Sequence, residues 1–206
     1  AYEDIKKLST KYYKNINVLN VLSQIAQKMG DEDTTINSLK KILLIDNSNI
    51  ECISKIYKLL LTKSLLDEAL ANINIILRID KDHYEAIRDK AYIYFLKNNF
   101  DKAKKYIDNI SKLEEKDFFA YNIKGLIYFK NGNFHEAKNY FEQAIKINSK
   151  YVDSYNNLGV CLLELEKLNE AHKVFDEALQ IDTNNTKTLI NLGNVLSLQD
   201  NILEAI

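Results

Sequence analysis

Proline and tryptophan are absent from the 206 residues, and only five glycines and two cysteines occur. Average usage would give roughly 14 glycines and 10 prolines in a chain this long. Sandwiches and barrels of β-strands turn on those residues at every corner; a chain so poor in them reads as helical. No apolar run approaches the roughly 18 residues of a membrane span, and no signal peptide opens the chain. Neither charge sign dominates: 28 Lys and Arg oppose 29 Asp and Glu, for a net charge of −1. That balance lacks the basic footprint of a general nucleic-acid binder. Cys52 and Cys161 sit among apolar neighbours and are too few for a disulfide scaffold. They read as two small buried, reduced side chains of a cytoplasmic protein.

What is present in quantity is apolar residue, 46% of the chain, and it is arranged in a repeat. Ile45-Asp46, Ile79-Asp80, Leu113-Glu114, Ile147-Asn148 and Ile181-Asp182 follow one another at intervals of 34 residues. The same step aligns Ala69, Ala103, Ala137, Ala171 and Ala205, and also Gly125, Gly159 and Gly193. Self-similarity of this period marks stacked supersecondary units. Full units are expected at 16–49, 50–83, 84–117, 118–151 and 152–185, with partial ones at 1–15 and 186–206, in a single array. Within 118–151, Phe118, Tyr121, Leu126 and Tyr128 predict one amphipathic helix. Phe134, Ala137, Phe141, Ala144 and Ile145 predict a second, and Asn131-Gly132-Asn133 the turn between them. Asp46-Asn47-Ser48, Asp82, Asp117 and Asp182-Thr183-Asn184 are expected to end one unit and cap the next.

Small and large residues recur at linked places: Tyr121, Gly125, Tyr128, Ala137, Phe141 and Ala144, then Tyr155, Leu158, Gly159, Ala171, Phe175 and Ala178. In this the chain resembles the tetratricopeptide repeat family. The resemblance implies an all-α, right-handed superhelical solenoid of antiparallel helix pairs. The family's proline near the unit end is replaced by Asn47, Lys81, Glu115, Ser149 and Thr183, polar residues able to end a helix. The eighth place runs Ser23, Tyr57, Ala91, Gly125, Gly159, Gly193, so the early units depart most. A bulky Tyr57 opposite Ala69, and a small Ser23 opposite Ile36, predict exchange of volume across one contact.

No catalytic set emerges. His83, His135 and His172 occupy three different places in three units, and no nucleophile elbow, P-loop or dinucleotide motif occurs. No enzyme activity, metal or cofactor is therefore expected. Asp31-Glu32-Asp33 precedes a predicted helix and suits its positive end better than a metal. Lys102, Lys104 and Lys105 with Asp101 and Asp108 read as a solvated mixed-charge face.

The family resemblance implies a groove lined by first helices, here Arg88, Tyr92, Phe95, Asn122, Leu126, Phe129, Asn157 and Asn191. Asparagine offers a donor and an acceptor to a peptide backbone, so a protein or peptide partner is expected, with neither nucleic acid nor membrane. The carboxylate clamp of chaperone-binding members is not assembled, since Ser54, Lys58, Arg88 and Glu85 do not fill its places in successive units. Asn157-Leu158-Gly159 and Asn191-Leu192-Gly193 resemble the peptide-binding array of O-linked N-acetylglucosamine transferases; Ile123-Lys124-Gly125 does not. Three readings stand: an interaction scaffold, the substrate-recruiting part of a larger enzyme, or a self-assembling spacer. Residues 1–15 match a second helix, while 186–206 match a first helix and one turn beyond. The parent protein is accordingly expected to continue past both ends. Leu189, Leu192, Gly193 and Leu196 would lack a covering helix and favour weak self-association through the carboxyl end, or disorder of its last turn.

Overall fold

The computed structural model describes residues 2–108 and 117–204, with side chains as far as Gln199. Leu113-Glu114, Glu115, Ala205 and Ile206 of the repeat lie outside the described residues. Among those described, twelve α-helices and no strand occur. They are α1 (Tyr2–Lys11), α2 (Ile16–Lys28), α3 (Glu32–Leu43), α4 (Ile50–Thr62), α5 (Leu66–Ile79) and α6 (Tyr84–Leu96). After them come α7 (Phe100–Asp108), α8 (Phe118–Lys130), α9 (Phe134–Ile147), α10 (Val152–Glu164), α11 (Leu168–Ile181) and α12 (Thr186–Glu204). The fold class is all-α, as the near-absence of turn residues requires. The chain forms two compact units, Ala1–Ile93 and Tyr94–Ile206.

Every hairpin turn contains one residue in the left-handed region. Gly30, Ser64, Asn98, Gly132 and Glu166 have φ between 57° and 77°, and each stands 34 residues after the last. Glycine tolerates that conformation at no steric cost, whereas an L-residue pays about 1–2 kcal/mol. With glycine so scarce, serine, asparagine and glutamate carry three of the five turns. The next such place is Asp200, yet α12 runs through it to Glu204. The sequence reading, in which 186–206 break into a first helix and one turn of a second, is corrected: α12 is continuous to Glu204. Gln199, just before that place, is bonded to His172 (3.1 Å) and Asn169 (3.0 Å) of α11. Held in that way, the helix continues without the strained residue.

Between hairpins, an aspartate or asparagine makes the turn that the missing proline would have stiffened. Asp46, Asp80, Asn148 and Asp182 each accept the backbone N–H two residues on, at 3.1–3.2 Å. The helix caps stand three residues after these. Asn49 and Asn185 follow Asp46 and Asp182 in this way and accept from the N–H groups of Cys52 and Thr188; Asp117, at the same place of its own repeat, accepts from the Ala120 N–H. Asp82 is not a cap; His83 is, its Nδ1 accepting from the Ala86 N–H at 3.3 Å. Asp31 caps α3 through Thr34 (2.9 Å) and also receives the Tyr2 hydroxyl and Lys6. The Tyr2 hydrogen bond, followed by those from Thr34, holds its carboxyl well below the usual range. Glu32 and Asp33 pair with Lys63.

The core of the Tyr94–Ile206 unit rests on glycine against phenylalanine. A Cβ on Gly125 would lie 2.5 Å from the Phe141 ring, and one on Gly159 would strike the Phe175 ring. Both rings are fully buried, so each glycine lets α8 and α10 close on their partner helices. On α8 the buried stripe is Ala120, Ile123 and Ile127, not the half-buried Phe118, Tyr121, Leu126 and Tyr128 that periodicity picked out. The helix is apolar almost all round, and its neighbours α7, α9 and α10 choose which stripe becomes core.

The Ala1–Ile93 unit uses a different solution. Tyr57 fills the glycine place, is fully buried, and faces the equally buried Ala69 and Ile73 in one cluster. The Ser23–Ile36 exchange does not occur. Ile36 stands one place past the contact, and Thr35 occupies it, its hydroxyl on Asp31 (2.8 Å) and toward the Ser23 carbonyl (3.5 Å). Both cysteines are free and buried. Burial pushes the Cys52 thiol up and the Cys161 thiol up to about 11.

Candidate functional site

The expected groove residues fall in both units. Arg88 and Tyr92 belong to Ala1–Ile93; Phe95, Asn122, Leu126, Phe129, Asn157 and Asn191 belong to Tyr94–Ile206.

In the second unit, α8 and α10 meet through an amide rung. The Asn122 Oδ1 accepts from the Ser154 hydroxyl at 3.2 Å and from the Asn157 Nδ2 at 3.0 Å. Asn122 is 3% exposed, so it joins two helices rather than standing open for a ligand. Asn157 is half-buried beside it. Ser154 can reach across because Tyr151, ahead of α10, makes no side-chain cap that would claim its hydroxyl.

One repeat later the same places hold Asn156, Thr188 and Asn191, and the rung does not form. Asn156 is fully buried, and neither its Oδ1 nor its Nδ2 has a hydrogen-bond partner; the Asn191 Nδ2 is buried in the same condition. The Thr188 hydroxyl is bonded to the capping Asn185 at 2.9 Å. A buried amide without partners costs about 1–3 kcal/mol, so the α10–α12 junction lacks the polar tie that α8 and α10 share. The sequence reading passed over Ser154, a residue whose place in the repeat carries no family signal.

Leu126, Phe129, Val160 and Leu163 are half-buried and pack against the core of this unit. Phe129 also sets its edge against Phe134 across the hairpin turn, with ring centroids 5.3 Å apart. Phe95 does the same with Phe100 at 5.7 Å. Each ring therefore has one face committed to its own hairpin. Lys102 and Lys104 are not simply solvated: their ammonium groups lie over the Tyr94 and Tyr128 rings, at 5.3 and 4.9 Å. The Tyr128 hydroxyl, bonded to Asp108 (3.4 Å), is pushed up to about 12, chiefly by burial and then by that carboxylate.

In the first unit Arg88 is largely buried and donates through Nε to Asp89 at 2.8 Å. The other oxygen of Asp89 accepts the Tyr57 hydroxyl at 2.8 Å. Burial and the Asp89 charge drive the Tyr57 phenol far above its ordinary value. This buried triad neutralises Arg88 and was not foreseen; its signal was an aspartate at the sixth place, where later units carry Ile123, Asn157 and Asn191. Tyr92 is half-buried on the same helix.

Amides, aliphatic side chains and aromatic rings supply hydrogen bonds and apolar contact. Among the described residues, no three His, Cys, Asp or Glu side chains gather as a metal site, and no helix is long and apolar enough to cross a membrane.

Residues 116–184 match the sequence model of the tetratricopeptide repeat. No curated protein matches by sequence. Among solved structures, the chain is similar to a tetratricopeptide repeat protein from Parabacteroides merdae, with 19% identity and a TM-score of 0.78; the match covers 97% of this chain and 79% of that one. It is also similar to MamA, at 23% identity and a TM-score of 0.66, over 84% of this chain and 94% of MamA. A third is YrrB, described as a repeat protein of this type with an unusual peptide-binding site, at 17% identity and a TM-score of 0.65. That match covers 92% of this chain and 97% of YrrB. The likeness is one of fold, that of solenoids built from this repeat.

Proposed function

We propose that this chain, whose residues 116–184 match the tetratricopeptide repeat and whose fold is that of solenoids built from it, is a non-catalytic interaction module. Its face on α8, α10 and α12 takes an extended segment or a helix of a partner protein. The observation that carries this reading is the conjunction on one face of a half-buried apolar strip with amide groups. Leu126, Phe129, Val160 and Leu163 form the strip; Asn157 and Asn191 stand beside it. Such a surface gives apolar side chains a seat and a peptide backbone its hydrogen bonds. Arg88 and Tyr92 occupy matching places in the first unit, where Asp89 already holds the guanidinium. The reading favours ligands without a required carboxylate terminus.

The test is selection of binding peptides on the full chain, followed by titration against variants. Val160→Asp and the pair Asn157→Ala with Asn191→Ala should each weaken a selected peptide about tenfold, the worth of roughly 1.4 kcal/mol. Lys173→Glu, on the exposed side of α11, should leave it unchanged. Equal losses from Lys173→Glu would move the binding face elsewhere.

A second reading, weak self-association, is favoured by Gly193. Nothing lies within 4 Å of the Cβ it would carry, whereas phenylalanines crowd Gly125 and Gly159. Leu189 and Leu196 beside it are 48% and 43% exposed. Sedimentation across a concentration series, with Gly193→Arg as the disabling variant, tests it.

A further inference from the structure

At the edge of the Ala1–Ile93 unit, the α1–α2 connection and the end of α3 enclose an open cavity of about 480 Å³. Tyr13, Lys14, Lys41, Leu44 and Ile45 line it. Leu44 is 87% exposed, Tyr13 57% and Ile45 44%. At the place of Leu44 the other described repeats carry Arg78, Lys146 and Gln180, so a leucine here departs from the chain's own pattern. An exposed leucine forgoes about 1.5–3 kcal/mol of burial. A single one would mean little, but three large apolar side chains around one hollow mark a contact surface.

The rim is basic. Lys14 and Lys41 make no ion pair with any described residue, and the Lys14 ammonium lies 5.6 Å from the Tyr13 ring centroid. Asp46, next in the chain to Ile45, is engaged in its own turn with Ser48 and Asn49. Two unpaired ammonium groups above an apolar hollow call for carboxylates on either side of an apolar side chain.

We propose that this cavity is a docking site for an acidic segment of a partner protein. One bulky apolar side chain of the segment enters over Leu44 and Ile45, and its flanking carboxylates meet Lys14 and Lys41. The volume lies in the range of pockets that enclose small ligands, ample for one leucine or phenylalanine side chain. A hollow receives a protruding group, whereas a bilayer surface requires a protruding apolar face. The site is separate from the α8–α10–α12 face, so either assignment can fail without the other.

The probe is a fluorescein-labelled hexapeptide, a Leu-Phe pair with two glutamates on each side, titrated by anisotropy into the full chain at low salt. Saturable binding is expected, weakening with added salt as exposed ion pairs are screened. Lys14→Glu with Lys41→Glu, and separately Leu44→Asp, should each weaken it by about tenfold or more through like-charge repulsion or loss of the apolar seat. Melting temperatures should hold, because these side chains are exposed. Asn157→Ala should leave this peptide unaffected. The proposal is overturned by absence of saturable binding, by equal binding to the variants, or by equal binding of a peptide with lysines in place of the glutamates. It is also overturned if phosphatidylserine vesicles, and not the peptide, bind in a manner abolished by the same substitutions.

Discussion

The two compact units build the same hairpin by opposite means. In Tyr94–Ile206 the contact place on the first helix is emptied, Gly125 and Gly159, and a phenylalanine from the second helix fills it. In Ala1–Ile93 the first helix supplies the bulk, Tyr57, and the second recedes to Ile73 at the place that Phe141 and Phe175 take in the other unit. Close packing constrains the summed volume at a contact, not which partner provides it. The difference also brings polar groups into play, since a tyrosine at that place carries a hydroxyl into the core. Asp89 receives it and Arg88 balances the charge. The match to the repeat falls in 116–184, the stretch that holds both glycine–phenylalanine contacts.

The largest expected effect breaks the first arrangement. Tyr57→Ala removes a fully buried ring and leaves Asp89 without its hydroxyl donor. Loss of a large buried side chain costs about 3–5 kcal/mol, read as a fall in the urea midpoint. Tyr57→Phe, which keeps the ring, should cost less, in the range of about 1–3 kcal/mol for an orphaned buried acceptor. If the two variants melt together, the hydroxyl rather than the ring holds that contact.

Next comes the mirror experiment. Gly159→Leu drives a side chain into the Phe175 ring, an overpacking cost of about 1–3 kcal/mol. Lys146→Leu, at an exposed place on α9, should be nearly silent. Pairing Gly159→Ala with Phe175→Leu moves volume from one helix to the other, as the first unit does, and should recover part of the stability lost by Gly159→Ala alone. No recovery would mean that the two arrangements are not interchangeable.

How far the sequence revealed these features depends on which interactions decide them. Helix number, the 34-residue step and the turn at Gly132 were legible, because local backbone preference and periodicity determine them. The buried face of α8 was not, since a helix apolar on nearly every side leaves the choice of stripe to its neighbours. Nor was the cap at His83, a residue seldom asked to cap, preferred to the adjacent Asp82 by one step of register. At the candidate site, the residue types were legible but not their commitments. Asn122 is spent on Ser154 and Asn157, and Phe95 and Phe129 turn one side toward Phe100 and Phe134. Those pairings depend on geometry between helices, which spacing along the chain does not record.

A smaller effect, of opposite sign, concerns the turns. Glu166 adopts the left-handed conformation that Gly132 adopts one repeat earlier. Glu166→Gly should stabilise the chain by about 1 kcal/mol, relief of left-handed strain outweighing glycine's larger unfolded-state entropy. Gly132→Glu should reverse that gain. A loss of stability in Glu166→Gly would show that its side chain makes a contact worth more than the strain.

The smallest effect turns the comparison onto three glycines at one place of the repeat. Gly125 and Gly159 are pressed by phenylalanine, so an added methyl group there forces a buried ring to move. Gly193 has the same place in α12 and a helical setting, but open space where its Cβ would stand. In a helix interior, alanine is more favourable than glycine by roughly 0.5–1 kcal/mol, because glycine loses more backbone freedom on folding. Gly193→Ala should therefore raise the melting temperature slightly, while Gly125→Ala and Gly159→Ala lower it. The sign at Gly193 also reports on what occupies that face in solution. If a second copy seats a side chain there, the gain seen in dilute protein should shrink and then reverse as concentration rises, because the methyl group would obstruct the docked residue. A gain independent of concentration would leave the Gly193 face solvent-exposed and remove self-association through α12.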